Sequence, residues 1–146
     1  MIQRIQSIFL LLAGGASLGL FGLPLARTPE AIEESVIFAD AVYNLNDQVA
    51  LMILFGLAGV LSLLGIFLFR NRPLQMKVSL SALIINLGGL AFAAFYLSQN
   101  ITEAGEKAIQ DGLGMYLPLL AIFFAFLAYR FIRRDEKLVK SMDRLR

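Results

Sequence analysis

The sequence predicts an all-α membrane protein. Four transmembrane helices form a left-handed bundle, with a small structured outer loop and a C-terminal cytoplasmic amphipathic helix. Three observations carry this prediction. Of 146 residues, 58% are hydrophobic and only 16% are charged, where soluble domains run nearer half and a quarter; the mean hydropathy is +0.73. The charges fall in short clusters separated by four uncharged gaps, Arg4 to Arg27, Asp47 to Arg70, Lys77 to Glu103 and Asp111 to Arg130, each about the length that crosses a bilayer. Finally, nearly all Lys and Arg fall on one side of those gaps.

Backbone groups in lipid must pair within the protein, so the gaps read as helices over about 5–25, 49–69, 78–97 and 113–129. The apolar runs are continuous and do not alternate, which argues against a β-barrel. The first run could be taken for a secretory signal, but Pro24 and Leu25 stand before Ala26 and Arg27, a poor cleavage site, so a retained helix is expected. Pro118 lies within the fourth gap, where a local kink is expected.

Orientation follows from the short loops. Arg4, Arg70, Arg72, Lys77, Arg130, Arg133, Arg134, Lys137, Lys140, Arg144 and Arg146 share one side; Arg27 and Lys107 share the other with most of the acids. Both termini are therefore expected in the cytoplasm, the chain spanning a bacterial inner membrane as one four-span domain, 1–146. The basic residues flank helices and form no aromatic-interleaved groove, so no nucleic-acid partner is expected.

Small and polar residues recur at helical spacing, the pattern by which membrane helices approach closely. The first span offers Leu12, Gly15, Gly19, Gly22 and Ala26; the second, Gly56, Ala58, Gly59, Ser62 and Gly65. The third offers Ser79, Ala82, Asn86, Gly89, Ala93, Tyr96 and Asn100; the fourth, Gly114, Pro118, Ala121, Ala125 and Ala128. The packing residues are accordingly Gly15, Gly19, Gly59, Ser62, Asn86, Gly89, Ala121 and Ala125, with Leu80, Leu83, Leu87 and Leu90 toward lipid. Asn86 either bridges helices or lines a polar path.

In the outer loop, Thr28-Pro29-Glu30 has the order of a helix start, and Val36–Phe38 and Ala41–Leu45 have strand composition. Glu33 with Glu34, and Glu103 with Glu106, read as solvated loop acids rather than catalytic pairs. Asn100-Ile101-Thr102 matches a glycosylation acceptor set against the membrane. In the tail, Phe131, Leu138, Met142 and Leu145 share a helical face interrupted by Asp135, and Arg133, Lys137, Lys140 and Arg144 line the opposite face. That is a basic amphipathic helix suited to anionic headgroups.

The chain has 0 His and 0 Cys, which removes imidazole and thiolate chemistry and the usual zinc or haem ligands. No cofactor or metal is expected. No charge lies within a span, which argues against proton relays and ion-coupled transport. The favoured function is a non-enzymatic scaffold or assembly partner, acting on membrane lipids, a membrane-protein partner or a second copy. The alternative is a small transporter or channel subunit with a polar path near Asn86, Ser79 and Tyr96.

The strings MIQRIQSIFLLLA, LFRNRPLQMKVSL, YLPLLAIFFAFLA and RDEKLVKSMDRLR resemble an uncharacterised Bacteroidetes family of small four-span integral membrane proteins, a domain of unknown function. The resemblance covers both ends and the middle, leaving out the outer loops. It implies a bacterial inner-membrane protein with this helix plan, and it brings no activity or ligand.

Overall fold

A computed structural model describes residues 2–31, 37–104 and 109–143. Helices dominate: α1 (Ile2–Gly19), α2 (Val49–Phe67), α3 (Arg72–Ala104) and α4 (Leu117–Asp143). They pack side by side, α1 and α3 each lying against both α2 and α4. Val49–Arg70, Arg72–Asn100 and Leu113–Met142 are long and apolar enough to cross a membrane, whereas Ile5–Gly19 is apolar but shorter.

The first helix stops well before Leu25, where the uncharged run had placed its end. Gly19, Gly22 and Pro24 explain the stop: two glycines weaken the last turn and proline cannot continue it. The chain turns at Leu20–Gly22, with Phe21 N donating to Leu18 O and Gly22 N to Gly19 O. It then enters a three-stranded antiparallel sheet, β1 (Ala26–Arg27) between β2 (Val42–Tyr43) and β3 (Gln110–Asp111). Of the three strands, β2 alone falls in a segment expected to be extended, Ala41–Leu45; the other such segment, Val36–Phe38, forms no strand over its described residues. Ile37 and Phe38 lie in a bend, and Thr28–Glu30 form no helix; Thr28 Oγ1 instead donates to Glu30 O at 2.9 Å. Val36, Glu33 and Glu34 lie outside the described residues.

The sheet closes one end of the helices. Leu20, Leu25, Ala26, Ile37, Phe38, Tyr43 and Leu45 are buried there with Leu51 and Phe55 of α2 and Ala93 of α3. Backbone groups of the interrupted segment are paired across the cap: Leu25 N donates to Tyr43 O, Gly112 N to Leu25 O and Gly114 N to Pro24 O, at 2.8–3.0 Å. Gly112 and Gly114 are required for this approach. A Cβ on Gly112 would overlap the Pro24 carbonyl oxygen, and one on Gly114 would lie 2.6 Å from the oxygens of Leu23 and Pro24.

The third helix starts earlier and ends later than the uncharged run. Asn71 Oδ1 accepts from Leu74 N at 3.2 Å and Pro73 sits in the first turn, so Asn71-Arg72-Pro73 acts as the start signal. At 33 residues, α3 is about 50 Å long. In α4 the expected kink is replaced by a helix start. A 3-10 turn, Leu113–Tyr116, precedes Leu117, and Pro118 is the second α-helical residue, where no interior hydrogen bond is lost. From there α4 runs unbroken into the basic tail.

Candidate functional site

The tail of α4 is positioned by its buried stripe. Pro118, Ala121, Ala125, Ala128, Ile132 and Asp135 recur at spacings of three and four and are all buried. Asp135, which interrupts the apolar pattern in sequence, is a contact rather than a defect: Gln6 Nε2 of α1 donates to its Oδ2 at 3.0 Å. Nearby, Phe9 stacks on Phe131 with centroids 5.5 Å apart and on Phe124 at 6.3 Å. Leu10, Ala128 and Ile132 fill the space between. The rotation of the tail about its axis is thereby fixed.

That rotation turns Arg130, Arg133, Arg134 and Lys137 outward around a shallow hollow, with a second one beside it lined by Leu127, Arg130, Phe131 and Arg134. Among the described residues, the ion pair in this region joins Lys140 Nζ to Glu136 Oε1 at 3.0 Å, one helical turn apart. No described acid is paired with the four cations of the hollow. The expected basic surface of Arg133, Lys137 and Lys140 is thus exposed, but Arg130 and Arg134 are the residues that complete the hollow, and Arg144 lies outside the described residues. Leu138 and Met142 are 48% and 64% exposed, so this part of the tail's apolar face is left largely uncovered by the described residues, whereas Phe131 packs on Phe9.

The packing residues divide. Gly59 and Gly89 sit at tight crossings: a Cβ on Gly59 would stand 2.7 Å from Leu18 Cγ, and one on Gly89 would stand 2.9 Å from Phe55 Cζ. Gly19 faces Leu117, with a Cβ separation of 3.3 Å. Ser62 is buried and donates to Ala58 O at 2.9 Å. Ala121 and Ala125 are fully buried. Gly15 is a correction: it is exposed, with nothing within 4 Å of a Cβ, and Leu12 and Gly22 are exposed as well. The face of α1 that packs is Gln6, Leu10, Ala13, Gly14 and Ser17, continued by Leu20 in the turn that follows. Of the expected lipid-facing leucines, Leu80 and Leu87 are exposed, and Leu83 and Leu90 are half-buried.

Asn86 is fully buried on α3. Its Oδ1 accepts from Ser17 Oγ of α1 at 2.9 Å, and its Nδ2 donates to Ala82 O at 3.1 Å. Its amide therefore ties α1 to α3 across the centre. Two further buried groups escaped the sequence reading: Gln75, whose Nε2 donates to Gly65 O at 3.0 Å, and Tyr43, whose hydroxyl has no hydrogen-bond partner among the described residues. Asn100 is buried too, its Nδ2 donating to Tyr96 O at 2.9 Å.

A family model, the domain of unknown function DUF4293, matches residues 2–145. No curated protein and no solved structure matches.

Proposed function

We propose that this chain, which belongs to the DUF4293 family, a domain of unknown function, is a four-span bundle of the bacterial inner membrane that works without catalysis. Both termini face the cytoplasm, and the basic end of α4 holds anionic lipid headgroups so that the bundle serves as a scaffold for a membrane-protein partner or a second copy. Three helices have the length and composition to cross a membrane. For α1, Ile5–Gly19 reaches about 22 Å, and the apolar stretch Leu20–Leu25 completes the crossing. Its non-helical backbone is tolerable there because Leu25 N, Leu25 O and Pro24 O are all paired within the cap, as irregular backbone at membrane depth requires.

The observation that carries the proposal is the hollow of Arg130, Arg133, Arg134 and Lys137 on a helix continuous with an apolar span. A basic cluster in that place is suited to anionic lipid, at about 1 kcal/mol per cation near the leaflet. Against the transport alternative, Asn86 is held by Ser17 and Ala82, which leaves little of its amide for a solute.

The test is lipid retention by the full chain. Purified in mild detergent from membranes containing phosphatidylglycerol, the protein should carry that lipid through to native mass spectrometry. Replacing Arg133, Arg134 and Lys137 together by Gln should remove most of it while zwitterionic lipid and thermal stability hold. Equal retention by wild type and variant would reduce these residues to topology signals.

A further inference from the structure

The four cations of the basic hollow are arranged as two pairs. Arg130 and Arg134 stand one turn apart on α4, as do Arg133 and Lys137, and the two pairs lie side by side on one helix face, all four residues exposed. From Arg130 to Lys137 they extend about 10 Å along the axis. The two adjoining hollows divide in the same way. Arg130 and Arg134 line both of them, Arg133 and Lys137 close the first, and Leu127 and Phe131 wall the second.

The acids within this stretch of α4 are engaged elsewhere: Asp135 accepts from Gln6 Nε2 of α1, and Glu136 holds Lys140. Like charges one turn apart weaken a helix, and an anion lodged between the members of each pair removes that repulsion. Two pairs therefore suit two anionic groups set close together. Toward the span the same face continues as Phe126 and Phe123, which are 47% and 55% exposed and lie about 6 and 10 Å from Arg130 along the axis. A ligand that fills both hollows is thus led onto an apolar ridge that a soluble anion would leave bare.

We infer that this site takes a lipid whose two phosphates are joined through one glycerol, a lipid of the cardiolipin class. One phosphate sits between Arg130 and Arg134 and the other between Arg133 and Lys137, and the acyl chains run along Phe126 and Phe123. The inference rests on the lipid-binding reading proposed above and narrows it from anionic lipid in general to a dianionic one. Tethering is the physical reason for the selectivity. Once one phosphate is held, the second is presented at high effective concentration, which raises affinity by about 10²–10⁴ without a new kind of contact. Two phosphatidylglycerol molecules have no such link and must each be captured separately.

The experiment titrates the full chain, purified in mild detergent, with cardiolipin and with phosphatidylglycerol at equal phosphate, bound lipid being read by native mass spectrometry. Wild type should bind cardiolipin at least about tenfold more tightly than phosphatidylglycerol. Arg133→Gln with Lys137→Gln leaves one cationic pair; it should abolish the preference while a first phosphatidylglycerol still binds and the melting temperature holds. Arg70→Gln with Arg72→Gln, which removes basic residues outside the hollow, should leave the preference intact. Equal affinity of wild type for the two lipids would overturn the inference, and if both were lost on replacing Arg133, Arg134 and Lys137 together, the broader lipid-binding reading would stand. A preference that survives Arg133→Gln with Lys137→Gln, or that disappears in the Arg70 and Arg72 variant, would overturn the assignment to this face. Displacement of cardiolipin by excess inorganic pyrophosphate would overturn the lipid in favour of a soluble diphosphate. Binding of neither anionic lipid by wild type would overturn both readings.

Discussion

At Gly59 and Gly89 a methyl group would fall 2.7 Å from Leu18 Cγ and 2.9 Å from Phe55 Cζ, whereas at Gly15 it would meet open space. Gly59→Ala and Gly89→Ala should therefore destabilise the protein by about 1–3 kcal/mol through overpacking. Gly15→Ala should be neutral or raise stability by up to about 1 kcal/mol, because it only removes glycine's conformational cost within a helix. Melting curves in one detergent separate the two classes, and a loss at Gly15 matching that at Gly89 would mean that α1 is rotated. The rotation of α1 was the least legible feature of the sequence. Both faces of α1 are apolar, Ile5, Ile8, Leu11 and Leu12 being exposed and Leu10 and Ala13 buried, so hydrophobicity does not mark the packed side, and glycine spacing alone pointed to Gly15 and Gly19. The polar residues carried the better signal: Gln6 and Ser17 share a stripe with Leu10 and Ala13, and each meets a buried polar partner, Asp135 and Asn86.

Among the elements, the apolar runs marked α2, α3 and α4 because only helices satisfy the backbone over such lengths. Their ends were less legible, being set by local chemistry: Asn71 precedes the start of α3, Pro118 lies in the first turn of α4, and Gly19 to Pro24 end α1. Strands β1 and β3 have two residues each, too short for any periodicity, and pair residues more than eighty positions apart. Since Pro118 lies in the first turn, Pro118→Ala should change stability by less than about 1 kcal/mol. Gly114→Ala should be several times more costly because it drives a Cβ into the carbonyls of Leu23 and Pro24. Comparable melting temperatures for the two variants would contradict the cap as described.

The cap also predicts a pH dependence. Burial, reinforced by the charge of Asp47, holds the Tyr43 hydroxyl above its unfolded value near 10. Above about pH 10 the unfolded chain gives up this proton while the folded chain keeps it, so stability falls as pH rises through that range. In Tyr43→Phe the titrating group is gone, and the variant should lose less stability than wild type between about pH 9 and pH 11. Identical pH profiles would mean that the hydroxyl is not desolvated by the fold.

For the whole molecule, the proposed arrangement places the sheet on one side of the membrane and Arg4, Arg70–Lys77 and the tail on the other. The chain has no cysteine, so single cysteines report each side directly. Gln75 is a poor probe because it is 2% exposed and bonded to Gly65 O, but Lys77 and Ala39 are exposed. The most direct measurement is labelling of Gln3→Cys, Ala39→Cys, Lys77→Cys and Ser141→Cys by a membrane-impermeant thiol reagent in cells whose outer envelope alone has been permeabilised. Four spans with both termini inside predict label at Ala39→Cys only, with the other three reacting after the membrane is dissolved. Label at Gln3→Cys together with Ala39→Cys would show that the short α1 does not cross, and label at Lys77→Cys in sealed cells would contradict the orientation.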